Sequence, residues 1–362
     1  MTLTCTGWGL APRPRPAHEV RKLVALGGDG IGPEVVGAAV KVLRATDAPI
    51  DISEPAHGGP HGFPTEARAL CDAADAVLFG AAEVASVPIL RYLRWSRGVF
   101  ANLRPSAPIV PSAATTPCNL VIVRELSEGL YPAREGDLAE LAQRWPEYRD
   151  RLARPLPADG KFAIRVVTEV ASRRIGRFAA QLAAHRKATG TGPGHVTIVT
   201  KANVLRETDG MFRECCEAEL RAVDPGLGID HLYVDEAARR LVRSAATFDV
   251  IVTTNLFGDI LSDVAGEVAG GLPLAPSSGI GETFAYFEPV HGTAPDLAGR
   301  EVANPIGAIV SGAMALQHLD CSDAADRIMR AIAATLERGV RTRDLGGTAD
   351  TARFTDAVCQ AL

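Results

Sequence analysis

Two aspartates four residues apart are candidates for metal chemistry in this chain of 362 residues. Asp259 and Asp263 follow the apolar run 249–254, which is typical of a buried strand. If they begin a helix, their carboxylates lie on one face and repel each other unless a cation joins them. Carboxylate oxygens suit Mg²⁺ or Mn²⁺ better than zinc. For the pair taken alone, the alternative is that these acids complement a helix dipole.

Arginines are concentrated between residues 91 and 124. Arg91 and Arg94 are three residues apart, which predicts that they share one side of a helix, and Arg104 follows in a second basic stretch. Arg124 ends an apolar strand and is therefore expected at the carboxyl edge of a sheet, where α/β proteins bind ligands. Guanidinium groups match carboxylates with paired hydrogen bonds. The cluster favours a small carboxylate ligand, with a solvated basic face as the alternative.

A lysine at the end of another predicted strand has a side chain suited to proton transfer. Lys201 follows the apolar strand 196–200, and a lysine there acts as a base when its surroundings lower its pKa. An ordinary surface lysine is the alternative. Tyr131 lies seven residues after Arg124. The Gly-, Pro- and Asn-rich segment 289–305 precedes a predicted helix and is typical of a functional loop.

Alternating strands and helices must position these residues. This alternation predicts an α/β fold with a largely parallel sheet. The loop 27–33 lacks the glycine spacing of a standard dinucleotide-binding turn. Residues 1–21 are proline-rich and are predicted to form a disordered or irregular tail. The sequence predicts strands at 22–26, 76–80, 119–123, 195–199 and 249–254, and helices at 35–43, 168–185, 256–270, 306–319 and 321–338.

The composition excludes several classes of protein. Apolar residues make up 47% of the chain, so we expect it to fold. A net charge of −5 and an aromatic content of 5% argue against a nucleic-acid partner. No apolar stretch approaches the roughly 18 residues of a membrane span, and no secretory signal is visible. Seven cysteines without C-x-x-C spacing favour reduced thiols. We therefore expect a cytoplasmic protein.

Taken together, nine stretches in order resemble the β-decarboxylating dehydrogenases, which include the isopropylmalate, isocitrate, homoisocitrate and tartrate or D-malate enzymes. The resemblance covers residues 22–362. It implies an enzyme of amino-acid biosynthesis. The stretches are GGDGIGPE, FANLRP, IVRELSEGLY, KANVL, YVDEAARRLV, NLFGDILSD, FEPVHGTAPDLAG, ANP and DLGG.

The resemblance implies an isopropylmalate/isocitrate dehydrogenase-like fold, with two open α/β domains, an active-site cleft between them and no standard Rossmann fold. Residues 22–107 and 270–362 would bind the cofactor. Residues 108–269 would bind the substrate and form a homodimer with shared active sites. Within them, the charged segment 132–160 would be an arm or an insertion.

The resemblance also implies the reaction, the NAD-dependent oxidative decarboxylation of a small di- or tricarboxylate with Mg²⁺ or Mn²⁺. Lys201, from the partner subunit, would accept the hydroxyl proton, and Tyr131 would protonate C3. Arg94, Arg104 and Arg124 would bind the malate-type carboxylates. The implied metal ligands are Asp259, Asp263 and, from the partner subunit, Asp235.

Cofactor binding is implied for residues of two loops. A carboxylate at Asp296 would repel a 2′-phosphate, which predicts NAD rather than NADP. The implied cofactor residues are Ile31, His291, Gly292, Thr293, Ala294, Asp296 and Asn304.

Substrate choice is expected to depend on residues 86–92. Isopropylmalate enzymes carry Glu and two leucines there, whereas this chain has Val87, Leu90 and Arg91. The run LRYLR resembles homoisocitrate dehydrogenases, so we expect Arg91 to meet a distal anionic group of a homoisocitrate- or isocitrate-like substrate. The alternatives are 3-isopropylmalate, D-malate or tartrate, and a phosphonate analogue. A catalytically silent regulatory subunit would lack an implied Asp, Lys or Tyr, and none is missing.

Overall fold

The computed structural model describes residues 4–10, 20–57 and 63–362. Ten of the strands in these ranges form one mixed sheet, and two form a small separate sheet. The strands are β1 (Arg21–Gly28), β2 (Ile50–Ser53), β3 (Ala76–Ala81), β4 (Ala101–Ser106), β5 (Leu120–Glu125), β6 (Glu135–Asp137), β7 (Lys161–Ala163), β8 (His195–Thr200), β9 (Gly228–Tyr233), β10 (Val250–Thr253), β11 (Pro276–Ile280) and β12 (Ala285–Pro289).

Helices cover both faces of this sheet, as the α/β prediction requires. Two turns matter for the site: a π-helical turn, Tyr92–Ser96, and a 3₁₀ turn, Arg343–Leu345. The helices are α1 (Gly32–Arg44), α2 (Thr65–Ala73), α3 (Val87–Arg91), α4 (Leu138–Arg144), α5 (Glu169–Ala188), α6 (Arg206–Val223), α7 (Val234–Ser244), α8 (Asn255–Val268), α9 (Ile306–His318), α10 (Ser322–Glu337) and α11 (Thr351–Cys359).

The central strands are apolar on both sides because helices bury both of their faces. In β5, Val121 and Val123 belong to the large core that includes α5 and α9, whereas Leu120 and Ile122 pack with α7 and α8. Successive side chains of a strand point to opposite faces, which explains this division. An uninterrupted apolar run is therefore the expected sequence signature of this strand.

The strand order is β2-β1-β3-β12-β11-β4-β5-β10-β8-β9. One half contains strands from residues 21–106 and 276–289, and the other contains strands from 120–253. Neighbours are parallel except around β11 and β4, where the two halves meet. Because β5, β10 and β8 are parallel, their carboxyl ends share one edge of the sheet. That edge carries the candidate site. The division into two domains stays a prediction.

Two segments differ from a simple alternation of strands and helices. Within the predicted N-terminal tail, residues 4–10 have no helix or strand, but Cys5 and Trp8 are buried in the main core. The segment is irregular here, and part of it packs into the core because its apolar side chains are buried. Residues 1–3 and 11–19 lie outside the described residues. The second segment, 132–160, contains β6 and α4. Strand β6 pairs with β7, which begins at Lys161, immediately after the segment.

The seven cysteines all lie in the described ranges, and each is a free thiol. Among the helices of these ranges, none is long and apolar enough to cross a membrane.

Candidate active site

A buried arginine and an aspartate form the centre of the site. Arg124, at the end of β5, is 1% exposed and forms an ion pair with Asp259 of α8. Asn255 accepts hydrogen bonds from Arg124 Nε at 3.0 Å and Nη2 at 2.7 Å, which fixes the guanidinium. Tyr131 donates its hydroxyl hydrogen bond to the same Asp259, and Arg124 lies 4.6 Å from the centre of its ring. Burial raises the pKa of Tyr131, and the bond to Asp259 adds to this, so the phenol stays protonated.

Asp263 lies one helical turn after Asp259, so the predicted sharing of one helix face is confirmed. Both carboxylates face Arg104 of β4, whose nitrogens are 3.9 Å from Asp259 Oδ1 and 4.0 Å from Asp263 Oδ1. Arg104 Nε donates to Asn102, but Nη1 is buried and has no hydrogen-bond partner among the described residues. Burial raises the pKa of Asp263, and the charge of Asp259 adds to this. The site therefore has unsatisfied capacity for an anion beside two carboxylates.

Arg94 joins this group from the other half of the sheet. Its Nε donates to the hydroxyl of Tyr286 at 2.9 Å, and its Nη2 lies 3.0 Å from Glu288. Burial opposes its charge, but Tyr286 and Glu288 outweigh this and raise the pKa of Arg94. The charges of Arg104 and Arg94 both act on Arg124. The three arginines therefore form one cationic cluster.

Arg91 does not share the environment of Arg94. Helix α3 ends at Arg91, and the next turn is π-helical, with Arg97 N bonded to Tyr92 O and Val99 N to Arg94 O. The helix thus widens between the two arginines, and the shared helical side stays a prediction. Arg91 is exposed, and within the described ranges it has no ion pair.

Lys201 and Asp235 lie together, apart from the arginine cluster. They form an ion pair after the parallel strands β8 and β9. The hydrogen bond from Lys201 holds the pKa of Asp235 below its usual range. Lys201 N also donates to the buried Asp209 at 2.6 Å, which fixes the backbone at the end of β8. One chain thus presents two separate groups of candidate residues.

The carboxylates at this site supply some, but not all, of the ligands that a divalent cation such as Mg²⁺ requires. Asp259 and Asp263 offer carboxylate oxygens on one helix face, as Mg²⁺ or Mn²⁺ prefers. No group of three or more acidic, imidazole or thiol side chains comes together within the described residues. Asp235 lies with Lys201 instead. A complete ligand set therefore needs a third ligand from outside this group.

The candidate cofactor residues lie in two loops that contact each other. Ile31 N donates to Thr293 O at 2.9 Å, and a Cβ on Gly30 would collide with the same carbonyl. His291 has a buried Nε2 without a hydrogen-bond partner in the described part of the chain, and burial lowers its pKa. A neutral imidazole with an unsatisfied nitrogen fits a polar ligand such as an adenine ring. Asp296 is exposed.

Gly292 and Ala294 flank Thr293 in the second of these loops. A Cβ on Gly292 would meet open space, and Ala294 has a positive φ of 38°. At the end of the loop, Asn304 Nδ2 donates to Asp344 at 2.8 Å.

The sequence interpretation missed several residues that hold the site together. Asn255 orients Arg124, and Glu288 pairs with Arg94, although both belong to quoted motifs, NLFGDILSD and FEPVHGTAPDLAG. Asp344, in DLGG, adds a second carboxylate near the cofactor loop. Asn255 and Glu288 stand four and three residues before the assigned Asp259 and His291, which is the signal that could have identified them, whereas Asp344 has no assigned residue near it in sequence.

The comparisons with known proteins agree with this fold. The sequence model of the isocitrate/isopropylmalate dehydrogenase family matches residues 22–358. The chain belongs to this family and is an oxidoreductase of its decarboxylating type.

The names of its relatives refer to two kinds of substrate. A "3-isopropylmalate dehydrogenase" of Archaeoglobus fulgidus is 38% identical over 95% of this chain and 100% of the relative. An "Isocitrate/homoisocitrate dehydrogenase" of Thermus thermophilus is 42% identical over 94% of this chain and 98% of the relative. The crystal structure of isocitrate dehydrogenase from Methylococcus capsulatus has a TM-score of 0.81 and 34% identity, covering 94% of this chain and 99% of that one.

Proposed function

We propose that the protein oxidises and decarboxylates a 2-hydroxy acid with a 3-carboxylate, using NAD and Mg²⁺ or Mn²⁺. The observation that carries this proposal is the contact of Arg104, Arg124 and Tyr131 with Asp259. An anion site, a protonated phenol and metal-type carboxylates are the groups that this reaction needs. The buried Nη1 of Arg104 has no hydrogen-bond partner among the described residues, which favours an anionic ligand beside it.

Each side chain has a task in this reaction. Arg94, Arg104 and Arg124 bind and orient the carboxylates of the substrate. Lys201 of the partner subunit accepts the proton of the C2 hydroxyl. Tyr131 donates its proton to C3 after CO₂ leaves, since its hydroxyl points into the same group of side chains.

Two bound groups complete the chemistry. Asp259 and Asp263, with Asp235 of the partner subunit, would hold Mg²⁺ or Mn²⁺, which supplies a Lewis acid for the C2 oxygen. Ile31, His291 and the loop that follows it would hold NAD, which supplies the hydride acceptor. Because Lys201 and Asp235 lie apart from Asp259 in one chain, a homodimer with shared sites is the proposed active unit.

For the substrate, we favour a homoisocitrate- or isocitrate-like acid with a distal anionic group. Arg91 supports this, because it is an exposed cation immediately before the turn that carries Arg94. The Thermus thermophilus relative, at 42% identity, carries both substrate names. 3-Isopropylmalate is the second candidate, favoured by the name of the Archaeoglobus fulgidus relative.

A direct assay tests the reaction. We expect NADH to form when the protein, Mn²⁺ and NAD are mixed with homoisocitrate or isocitrate, and more slowly with 3-isopropylmalate, D-malate or tartrate. We expect kcat/KM for NAD to exceed that for NADP, because the Asp296 carboxylate repels a 2′-phosphate. Equal use of NADP would refute the assigned role of Asp296. NADH formation without CO₂ release would contradict the decarboxylation step.

The substitution Arg91→Leu tests the substrate preference. We expect the ratio of kcat/KM for homoisocitrate to that for 3-isopropylmalate to fall by about tenfold or more, as for a lost charge-assisted hydrogen bond. Arg144→Leu is the control, because Arg144 is an exposed arginine in the last turn of α4. An unchanged ratio in Arg91→Leu would exclude contact between Arg91 and the distal group.

A further inference from the structure

A cavity of about 420 Å³ lies beside the candidate proton donor Tyr131. Ser127 precedes Tyr131, and Pro132 and Arg134 follow it. The opposite wall comes from the π-helical turn and the residues after it. The lining residues are Arg94, Trp95, Gly98, Val99, Ser127, Pro132, Arg134 and Arg174. The cavity therefore adjoins the active-site group on the side of the π-helical turn.

Arg134 and Arg174 bring more positive charge to this cavity than their neighbours balance. Arg134 is exposed, and no carboxylate of the described chain pairs with it. Arg174 Nη2 donates to Ser127 Oγ at 3.0 Å, and the guanidinium lies 4.4 Å from the centre of the Phe100 ring. Its Nε is buried and has no hydrogen-bond partner within the described ranges.

The acids near the cavity, Glu125 and Glu128, already accept hydrogen bonds from other groups. Glu125 lies 4.0 Å from Arg174, but its oxygens accept from Ser127 N and Glu128 N. Glu128 in turn accepts from Thr168 N at 2.7 Å and from the Thr168 hydroxyl, at the start of α5. An anion that enters the cavity therefore meets the exposed guanidinium of Arg134, with Arg174 also in the lining.

The remaining wall suits a short carbon chain that ends in an anion. Val99 and Pro132 are apolar, and Trp95 offers an aromatic surface. Arg91 precedes Trp95 by four residues, close to one turn of this helical segment, so the two lie on the same side. Arg91 is not part of the lining, whereas Arg134 and Arg174 are.

We propose that this cavity is the subsite for the distal anionic arm of the substrate, and that Arg134 and Arg174 bind the terminal carboxylate or phosphonate. This inference rests on the proposed function, which supplies the reacting end of the substrate. It adds two specificity-determining residues to Arg91. Two guanidiniums around one terminal group select an arm with an anion at its tip over an apolar arm.

The substitution Arg134→Gln is the main test, because Arg134 is exposed and its replacement leaves the core intact. We expect the ratio of kcat/KM for homoisocitrate to that for D-malate, which has no arm, to fall by about tenfold or more. Titration calorimetry with homoisocitrate, without NAD, should show a similar loss of affinity. Arg144→Gln removes the same charge from a neighbouring exposed position and should keep both values within about twofold of the unmodified protein.

The outcomes separate this subsite from the reaction itself. If the unmodified protein oxidises homoisocitrate and Arg134→Gln keeps the ratio and the affinity, the subsite is refuted while the reaction stands. If no acid is oxidised but homoisocitrate binding depends on Arg134, the reaction is refuted and the anion subsite stands. Arg174→Lys retains the charge but loses the paired geometry, so we expect a smaller fall in the same ratio. An equal fall in Arg144→Gln would show a general charge effect and overturn the assignment.

Discussion

Mixing two inactive variants, Lys201→Met and Asp259→Asn, should restore about one quarter of the activity of the unmodified protein, as expected for a two-fold dimer with shared sites. Each variant alone lacks a residue of every active site. In a mixed dimer, one site combines the intact Asp259 of one chain with the intact Lys201 of the other. The second site lacks both residues.

The arrangement of the side chains is the reason for this expectation. Lys201 is paired with Asp235, whereas Asp259 is held by Arg124 and Tyr131. A lysine that removes a proton from the substrate contributes about 10²- to 10⁴-fold to the rate, so the loss in Lys201→Met alone is large. Restoration by mixing cannot come from a site built from one chain.

The experiment needs exchange of subunits and a control for it. The two variants are mixed after mild denaturation and refolding, and the dimer fraction is isolated by size. Mixing Lys201→Met with itself under the same treatment should give no activity. If the mixture of the two variants also stays inactive although differently tagged chains are shown to exchange, the shared-site proposal is wrong. Activity in a monomer fraction would contradict it as well.

Much of this arrangement can be predicted from the sequence, because it depends on short local patterns and on the parallel direction of neighbouring strands. The run from Leu120 to Arg124 predicts a buried strand with a charged carboxyl end. The parallel strands β5 and β10 bring their carboxyl ends together, so Arg124 and the first turns of α8 must meet. The four-residue spacing of Asp259 and Asp263 then places both carboxylates at this edge.

Other contacts join residues that are remote in sequence, and no local pattern encodes them. Arg94 meets Glu288 across 194 residues, because β12 pairs with the remote strand β3 on one side and with its sequence neighbour β11 on the other. The antiparallel strands β11 and β4 break the predicted parallel order at the centre of the sheet.

The π-helical turn after Arg91 is not encoded by a local pattern either. Its hydrogen bonds span five residues, and no residue type marks such a turn in the sequence. It contains Arg94 and Trp95, which line the same cavity as Arg134. The basic residues are visible in the sequence, but the turn that brings some of them to one cavity is not.

The substitution Asp259→Asn should abolish metal-dependent turnover, with kcat/KM reduced by about a thousandfold or more, because Lewis-acid stabilisation is worth several kcal/mol. Asparagine keeps the size of the side chain and one acceptor oxygen, but its amide nitrogen replaces the second acceptor, because Arg124 and Tyr131 donate to different oxygens of Asp259. It also removes the charge that a divalent cation requires. Because the buried Arg124 loses its charge partner, we also expect a lower melting temperature, so turnover is measured on protein shown by circular dichroism to be folded.

A direct measurement of metal binding distinguishes a metal ligand at Asp259 from a residue with only a structural role. Titration of Mn²⁺, followed by calorimetry or by the electron paramagnetic resonance signal of the free ion, should show lost affinity in Asp259→Asn. Glu267→Gln is the matched control, because Glu267 is an exposed acid later on α8. In the metal-free protein Asp259 is the charge partner of the buried Arg124, so a cation must compete with that ion pair. Unchanged Mn²⁺ affinity in Asp259→Asn would mean that this carboxylate serves only to hold Arg124 and Tyr131, and that the metal ligands lie elsewhere.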